Sequence, residues 1–363
     1  MRPSGSAQSE HIIVPGQGLV YRIDPLEDPR WPVFVAEHPD ASPFHSRGWL
    51  RALKVTYGYE PVAFTTSVPT VPLANALVGC IVRSWVTGTR LVSLPFSDHC
   101  EPLISRPDEF GVLIASLAEL RKTSGWKYIE IRSANPCLEF GDNFSQVNTS
   151  SLHRLDLRPD LDVLYRGLHK NCVRRKIHRA EREGLIYEVG RSEQMIDHLY
   201  GLLSMTRARH CLPPQPIEWF RNLVSSMGSN VCIRSASKDG RPIAGMLTLR
   251  QGKYMVYKYG ASDTVFNHLG GVAMLFWETI KEAKRAGMEW LDFGRSDHDN
   301  PGLITFKRRW AAECFPLTTW QIPGLISSAH RNHLTMRCAR ALFSRLPPSV
   351  LTLAGRLLYR HVG

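Results

Sequence analysis

The chain has 363 residues, 43% hydrophobic and 21% charged, which excludes a disordered protein and predicts two domains, since one core rarely organises this length. No apolar run approaches the about 20 residues of a membrane-spanning helix, and eight scattered cysteines without a C-x-x-C pair fit neither a disulfide framework nor a zinc knuckle. The net charge of +12 calls for an anionic partner (phosphates, nucleic acid or a membrane surface) without choosing among them.

Residues 1–28, beginning MRPSGSAQSEHIIVPGQG, lack an apolar core of signal-peptide length and read as an N-terminal extension of a cytoplasmic protein. A first domain is expected over 29–150. Its strand-like segments ALVGCIVRSW and TRLVSLPF precede an amphipathic helix with Leu113, Leu117 and Leu120 on one side. Gly125 closes that helix, and the strand WKYIEI follows. Ser97 and Asp98, at the end of the second strand, either line an acceptor pocket or form a turn.

A second domain is expected over 151–322, joined to the first near 145–160. It opens with a basic amphipathic helix over 164–184, whose Leu164, Leu168, Val173, Ile177 and Ala180 form an apolar stripe. Arg174, Arg175 and Arg179 crowd the other side, either to hold phosphates or as a solvated face. Helices over 192–209 and from IEWFRNLVSSMG come next. Then the earlier order returns: strands PIAGMLTLRQ and YMVYKYGAS, a helix with Leu275 and Ile280 closed by Gly287, and the strand MEWLDF. Aligned on Gly125 and Gly287, the halves repeat one strand–strand–helix–strand unit. The fold class is therefore α/β, two related tandem domains of mixed sheets flanked by helices, plus a C-terminal helical tail.

In YMVYKYGAS, strict alternation sends Lys258 to the face opposite Tyr257 and Tyr259. A cleft-facing tyrosine would donate a proton or bind the acceptor, and Tyr259, nearer the strand's end, is the first choice. Asp292 and Arg295 end the last strand as candidates for a site; Glu130 and Arg132 near the repeated position leave an architectural acid as the alternative. Asp297, His298 and Asp299 are consecutive, and no second ligand cluster accompanies them, so they read as a solvated turn and no metal site is expected. The tail, 323–363, has six arginines and no acid. It reads as two short helices split at Pro347-Pro348, expected to pack on the second domain; peripheral contact with an anionic inner membrane face is the alternative.

The ordered segments KNCVRRKIHRAEREG, GRPIAGMLTLRQGKYMVYKYGASD, FWETIKEAKRAGMEWLDFGRS and FKRRWAAE resemble the FemAB-like (BioF2-like) branch of the GNAT acyltransferase superfamily. HPDASPFHSRGWLRAL and TGTRLVSLPFSDHCEPLI resemble that branch's first domain, so the likeness spans roughly residues 30–322. It implies tandem GNAT-like domains and attack of a substrate amine on an activated acyl group. Lys307 of the FK pair matches a family position serving substrate phosphate or developing negative charge, with Phe306 beside it. The CoA-binding signature R/Q-x-x-G-x-G/A is degenerate here: in NHLGGVAML, Asn267 replaces Arg or Gln, followed by Gly270 and Gly271.

The expected activity is N-acyl transfer, with no bound cofactor, from a phosphate-bearing donor to an amine on a cell-envelope or exopolysaccharide-type precursor. Acyl-CoA is the favoured donor and aminoacyl-tRNA the other. The alternatives are a non-catalytic protein binding an anionic glycan or lipid-linked precursor, and a FemX-like aminoacyl-tRNA-dependent ligase. No stable nucleic-acid complex is expected, because 168–184 contains no aromatic residue to stack on bases.

Overall fold

The computed structural model describes residues 10–14, 18–324 and 348–361. Contacts divide the chain into two units. One takes it up to Thr149 and again from Leu317; the other takes Ser150–Pro316 and the C-terminal helix as far as Tyr359.

In the first unit, β1 (Glu10–Val14), β2 (Gly18–Ile23), β3 (Glu60–Thr65), β4 (Leu77–Val82) and β5 (Arg90–Val92) follow one another antiparallel. β5 then pairs parallel with β6 (Ile129–Ser133), and Thr318–Ile322 of β13 (Glu313–Ile322) pair antiparallel with β6. The helices are α1 (Arg30–Glu37), α2 (Arg47–Tyr57) and α3 (Pro107–Thr123). Ser46 starts α2 by accepting the Trp49 N–H, and Gly58 ends it in the left-handed region. Phe110, Leu113 and Leu117 of α3 pack on Phe64, Ile129 and Ile131 to form the core. Tyr21–Ile23 pair with Ala63–Thr65, so residues assigned by sequence to an extension supply a strand of this sheet.

In the second unit the strand order is β7 (Ser145–Asp156), β12 (Trp290–Ser296), β11 (Tyr254–Ser262), β10 (Arg241–Gln251), β9 (Val231–Lys238) and β8 (Ile186–Gly190). β11 and β12 are its parallel pair. The helices are α4 (Leu161–Gly167), α5 (Arg175–Arg182), α6 (Glu193–Arg209), α7 (Ile217–Met227), α8 (Gly271–Arg285), α9 (Pro301–Arg308) and α10 (Pro348–Leu358). α6 packs on β9, β10 and β11, while α8 packs on the same three strands and carries α5. The stretch 145–160, where the two domains were expected to join, contains the strand β7.

The predicted repeat is present. In each unit an antiparallel pair leads to a helix and then a strand parallel to the second of the pair. Gly125 and Gly287 follow the two helices at φ +65° and +71°, a region open to glycine at little cost.

The single helix expected over 164–184 is broken. α4 stops at Gly167, Leu168 is extended, and a π turn over Lys170–Arg174 precedes α5. Two bonds of His169 hold the break: its N–H donates to the Arg309 carbonyl (3.0 Å), and its Nδ1 accepts the Cys172 N–H (3.2 Å). The first of the two helices expected in the tail lies outside the described residues; the second is α10.

α5 approaches the start of α8 closely enough to require a glycine. Gly270 has φ +89°, and a Cβ there would stand 2.1 Å from the Lys176 carbonyl oxygen. Gly270→Ala is therefore expected to lower the unfolding free energy by about 3 kcal/mol or more, combining left-handed strain with a backbone clash. Urea denaturation checks this; a loss under about 1 kcal/mol would mean that α5 yields to the methyl group.

Candidate functional site

β11 and β12 run side by side for three residue pairs only, Tyr254–Val256 against Trp290–Asp292. Beyond these pairs the strands part, although both continue. The residues immediately after the last pair sandwich one ring of α8. Phe276 is fully buried, with Tyr257 of β11 at 4.7 Å and Phe293 of β12 stacked on it at 5.1 Å and 11°. Trp310 and Phe306 close the cluster at 5.0 and 5.6 Å from Phe276. Phe306, partly buried, packs against this core.

Both strands are bulged at this point. On β11, Tyr257 opposes Thr248 and Tyr259 opposes Leu247, which leaves Lys258 as the inserted residue. The bulge overturns the expectation that both tyrosines share a face. Tyr257 packs towards α8, whereas Tyr259 accepts the Trp219 indole N–H (2.9 Å) and packs on Phe220 of α7. On β12, Phe293 is inserted between Asp292, opposite Arg154, and Gly294, opposite His153.

A pocket of about 170 Å³ opens beside the parted strands. Its walls are Tyr257, Gly260, Ala261 and Ser262 of β11, Gly245 and Met246 of β10, Val272, Leu275 and Phe276 of α8, and Thr206 and Arg209 of α6. It therefore touches helices packed on both faces of the sheet. The Tyr257 hydroxyl lies over Gly260, where a Cβ would come within 2.2 Å of it. Any side chain at 260 would compete with that hydroxyl for space. Of the residues expected from sequence, Tyr257 lines the pocket. Thr206, Arg209, Gly260, Ser262 and Phe276 were not singled out; a glycine directly after paired strand tyrosines was the one available signal.

The other candidates have structural work within the protein. Asp292 is 1% exposed, accepts the Gly294 N–H (2.6 Å) and faces Arg154 Nε at 3.4 Å, so its carboxylate holds the β12 bulge and a neighbouring strand. Lys307 is 2% exposed, and its ammonium donates to the Gly294 and Arg295 carbonyls at 2.7 and 2.8 Å. Lys307 thereby clamps α9 onto the end of β12. Arg295 Nε lies 3.5 Å from Asp297, and Asp297, His298 and Asp299 form the exposed turn.

Ser97 is buried, with its hydroxyl donating to the Leu94 carbonyl (2.6 Å) and its own carbonyl accepting from Arg132. It builds a turn of the first unit, and Asp98 follows it half-buried. Gly270 and Gly271 are explained by packing on α5 and on the Ala244 and Ile243 side chains. Asn267 accepts from the Ser262 hydroxyl (2.8 Å). On the basic segment, Arg174 lies over the Tyr165 ring, Arg179 pairs with Glu183 (2.7 Å), and Arg175 is exposed.

His153, fully buried opposite Gly294, is held near pKa 4. Burial is the main cause, the charges of Lys307 and Arg308 add to it, and Asp292 opposes.

Residues 168–308 match the family described as acetyltransferase (GNAT) domain. The structure is similar to that of FemX, with a TM-score of 0.67 at 14% identity, covering 86% of this chain and 98% of that one. It is also similar to the C-terminal domain of a putative lysylphosphatidylglycerol synthetase from Agrobacterium fabrum, with a TM-score of 0.57 at 14% identity, covering 88% and 97%. A tandem GNAT protein from the clavulanic acid biosynthesis pathway gives a TM-score of 0.51 at 12% identity, covering 85% and 99%. At such identities the likeness is one of fold. No curated protein sequence matches the chain.

The His153 environment generates a pH prediction. The folded state keeps the ring neutral down to about pH 4, while the unfolded chain takes up a proton near 6.5, so stability is lost as pH falls between those values. Between pH 7 and 5 the loss assigned to this residue is about 2 kcal/mol. Urea titrations of His153→Leu should show the difference between those pH values reduced by that amount; an unchanged difference would mean that His153 is protonated in the fold.

Proposed function

We propose that this chain, which carries a GNAT domain on a FemAB-like fold, is an N-acyltransferase that moves an acyl group from acyl-CoA to a substrate amine. The observation that carries the reading is the parting of β11 and β12 after three residue pairs, with a pocket opening beside it. Separation of parallel strands inside a sheet exposes main-chain edge without unfolding it. A thioester laid along β11 would meet that edge, with Phe276 and Leu275 beneath its apolar part and Tyr257 beside its sulfur. A pocket of about 170 Å³ suits a short acyl group and the adjoining arm of the donor rather than a whole nucleotide.

In the proposed reaction the acceptor ammonium first loses a proton to solvent, and its nitrogen then attacks the thioester carbonyl. The carbon–nitrogen bond forms, the nitrogen gives its second proton to solvent as the tetrahedral intermediate collapses, the carbon–sulfur bond breaks, and the departing thiolate takes the Tyr257 phenolic proton, which solvent restores. Arg209 and Thr206, reached from α6, are assigned to the acceptor. The donor's phosphates are assigned to the exposed cation of Arg175 and to the start of α8 near Asn267. The net charge of +12 suits an acceptor that is an anionic envelope or polysaccharide precursor.

Titration of the purified protein with a CoA thioester and, separately, with charged tRNA tests the donor. Saturable binding of the thioester alone is expected, and binding of the tRNA alone would overturn it. Gly260→Val should weaken thioester binding by about tenfold or more, because its side chain fills the space under the Tyr257 hydroxyl. Tyr257→Phe keeps the ring on Phe276 and should lower kcat by about 10- to 100-fold with KM little changed. Full turnover in that variant would remove Tyr257 from the proton transfer.

A further inference from the structure

α10 presents two opposite faces. At about 100° per residue, Leu351, Gly355 and Tyr359 share one side, and Val350, Leu353 and Leu357 share the other. The first side is fastened to the second unit. Leu351 is buried, Gly355 lies so close to Pro214 that a Cβ would meet its carbonyl oxygen at 2.1 Å, and the Tyr359 hydroxyl donates to the Pro213 carbonyl (3.1 Å). The second side is apolar and open to solvent: Val350, Leu353 and Leu357 are 41%, 58% and 62% exposed. A helix rigidly held by one face while displaying an aliphatic stripe on the other is a surface built to be covered.

The charge around the stripe identifies the cover. Arg356 and Arg360 flank it, both exposed, and Arg207 lies near Tyr359. The acid that the helix meets, Glu218, is paired with Arg356. Residues 323–363 contain six arginines and neither lysine nor acid, and all six lie from Arg331 onward. A protein partner matched to such a segment would have to bring an acidic rim around an apolar groove. A bilayer of anionic phospholipid presents both chemistries at once, over any area, and basic residues near it each add to attraction. Among the described residues no helix is long and apolar enough to cross a membrane, so contact through α10 would be with the surface.

We propose that α10 docks this protein on anionic phospholipid bilayers, with Val350, Leu353 and Leu357 entering the interface and the exposed Arg356 and Arg360 at its border meeting the headgroups. This inference does not rest on the transfer reaction: none of these residues lines the pocket. Docking would bring the pocket-bearing unit to lipid-borne acceptors by confining it to their surface.

Flotation of the purified full chain with vesicles tests it. Vesicles of phosphatidylcholine containing about one third phosphatidylglycerol should carry the protein, vesicles of phosphatidylcholine alone should not, and added salt should weaken the association. The double substitution Leu353→Gln and Leu357→Gln should lower the affinity by about tenfold or more, since both side chains would leave water on docking. Thermal unfolding and transfer to a soluble amine should stay unchanged, because both side chains already face solvent. Three results would overturn the proposal: no flotation of the wild type, a double variant within about threefold of the wild type, or a vesicle-free dimer that the double substitution abolishes. The last would identify the cover as a second copy of the chain.

Discussion

One buried ring holds the candidate site open. Parallel strands gain most by continuing their ladder, and β11 and β12 abandon theirs at Val256–Asp292 although both run on. The Phe276 ring occupies the point of divergence, stacked on Phe293 from one strand and against Tyr257 from the other. Packing three aromatic side chains there, Phe276 and Phe293 buried and Tyr257 half-buried, offsets the lost main-chain hydrogen bonds. Both strands bulge just past the Val256–Asp292 pair, at Lys258 and at Phe293, and Tyr257 and Phe293 meet the ring. The pocket is the space that the wedge leaves beyond itself.

The charged groups around β12 serve this arrangement. A strand that leaves its neighbour must have its end held by something else. The Lys307 ammonium takes the Gly294 and Arg295 carbonyls, and the Asp292 carboxylate takes the Gly294 N–H. Lysine and aspartate buried to this degree survive because their hydrogen bonds are made by fixed backbone groups. His153 is neutral in the same neighbourhood, since another positive charge beside Lys307 and Arg308 would be costly away from water. Asp292 and Lys307, at the two ends of the charged segment 292–307, fasten a strand.

Composition, periodicity and order were enough to determine the α/β class, the repeated strand–strand–helix–strand unit, its closing glycines and the solvated turn of Asp297, His298 and Asp299. Each of these depends on local spacing, which a linear pattern carries. The resemblance of ordered segments to FemAB-like GNAT proteins likewise reaches the fold without coordinates.

What only tertiary structure decided are the matters that turn on a one-residue shift or on a distant partner. An insertion at Lys258 sends Tyr257 and Tyr259 to opposite faces, and nothing in YMVYKYGAS marks it, because a bulge depends on the strand opposite. The break at Leu168–His169 depends on the Arg309 carbonyl, and the need for glycine at 270 depends on the Lys176 carbonyl. Thr206, Arg209 and Phe276 meet at one pocket from helices widely separated in sequence. Side-chain type and spacing specify which elements form, whereas the faces those elements turn to one another, and the gap left between two strands, are set by packing across the whole unit.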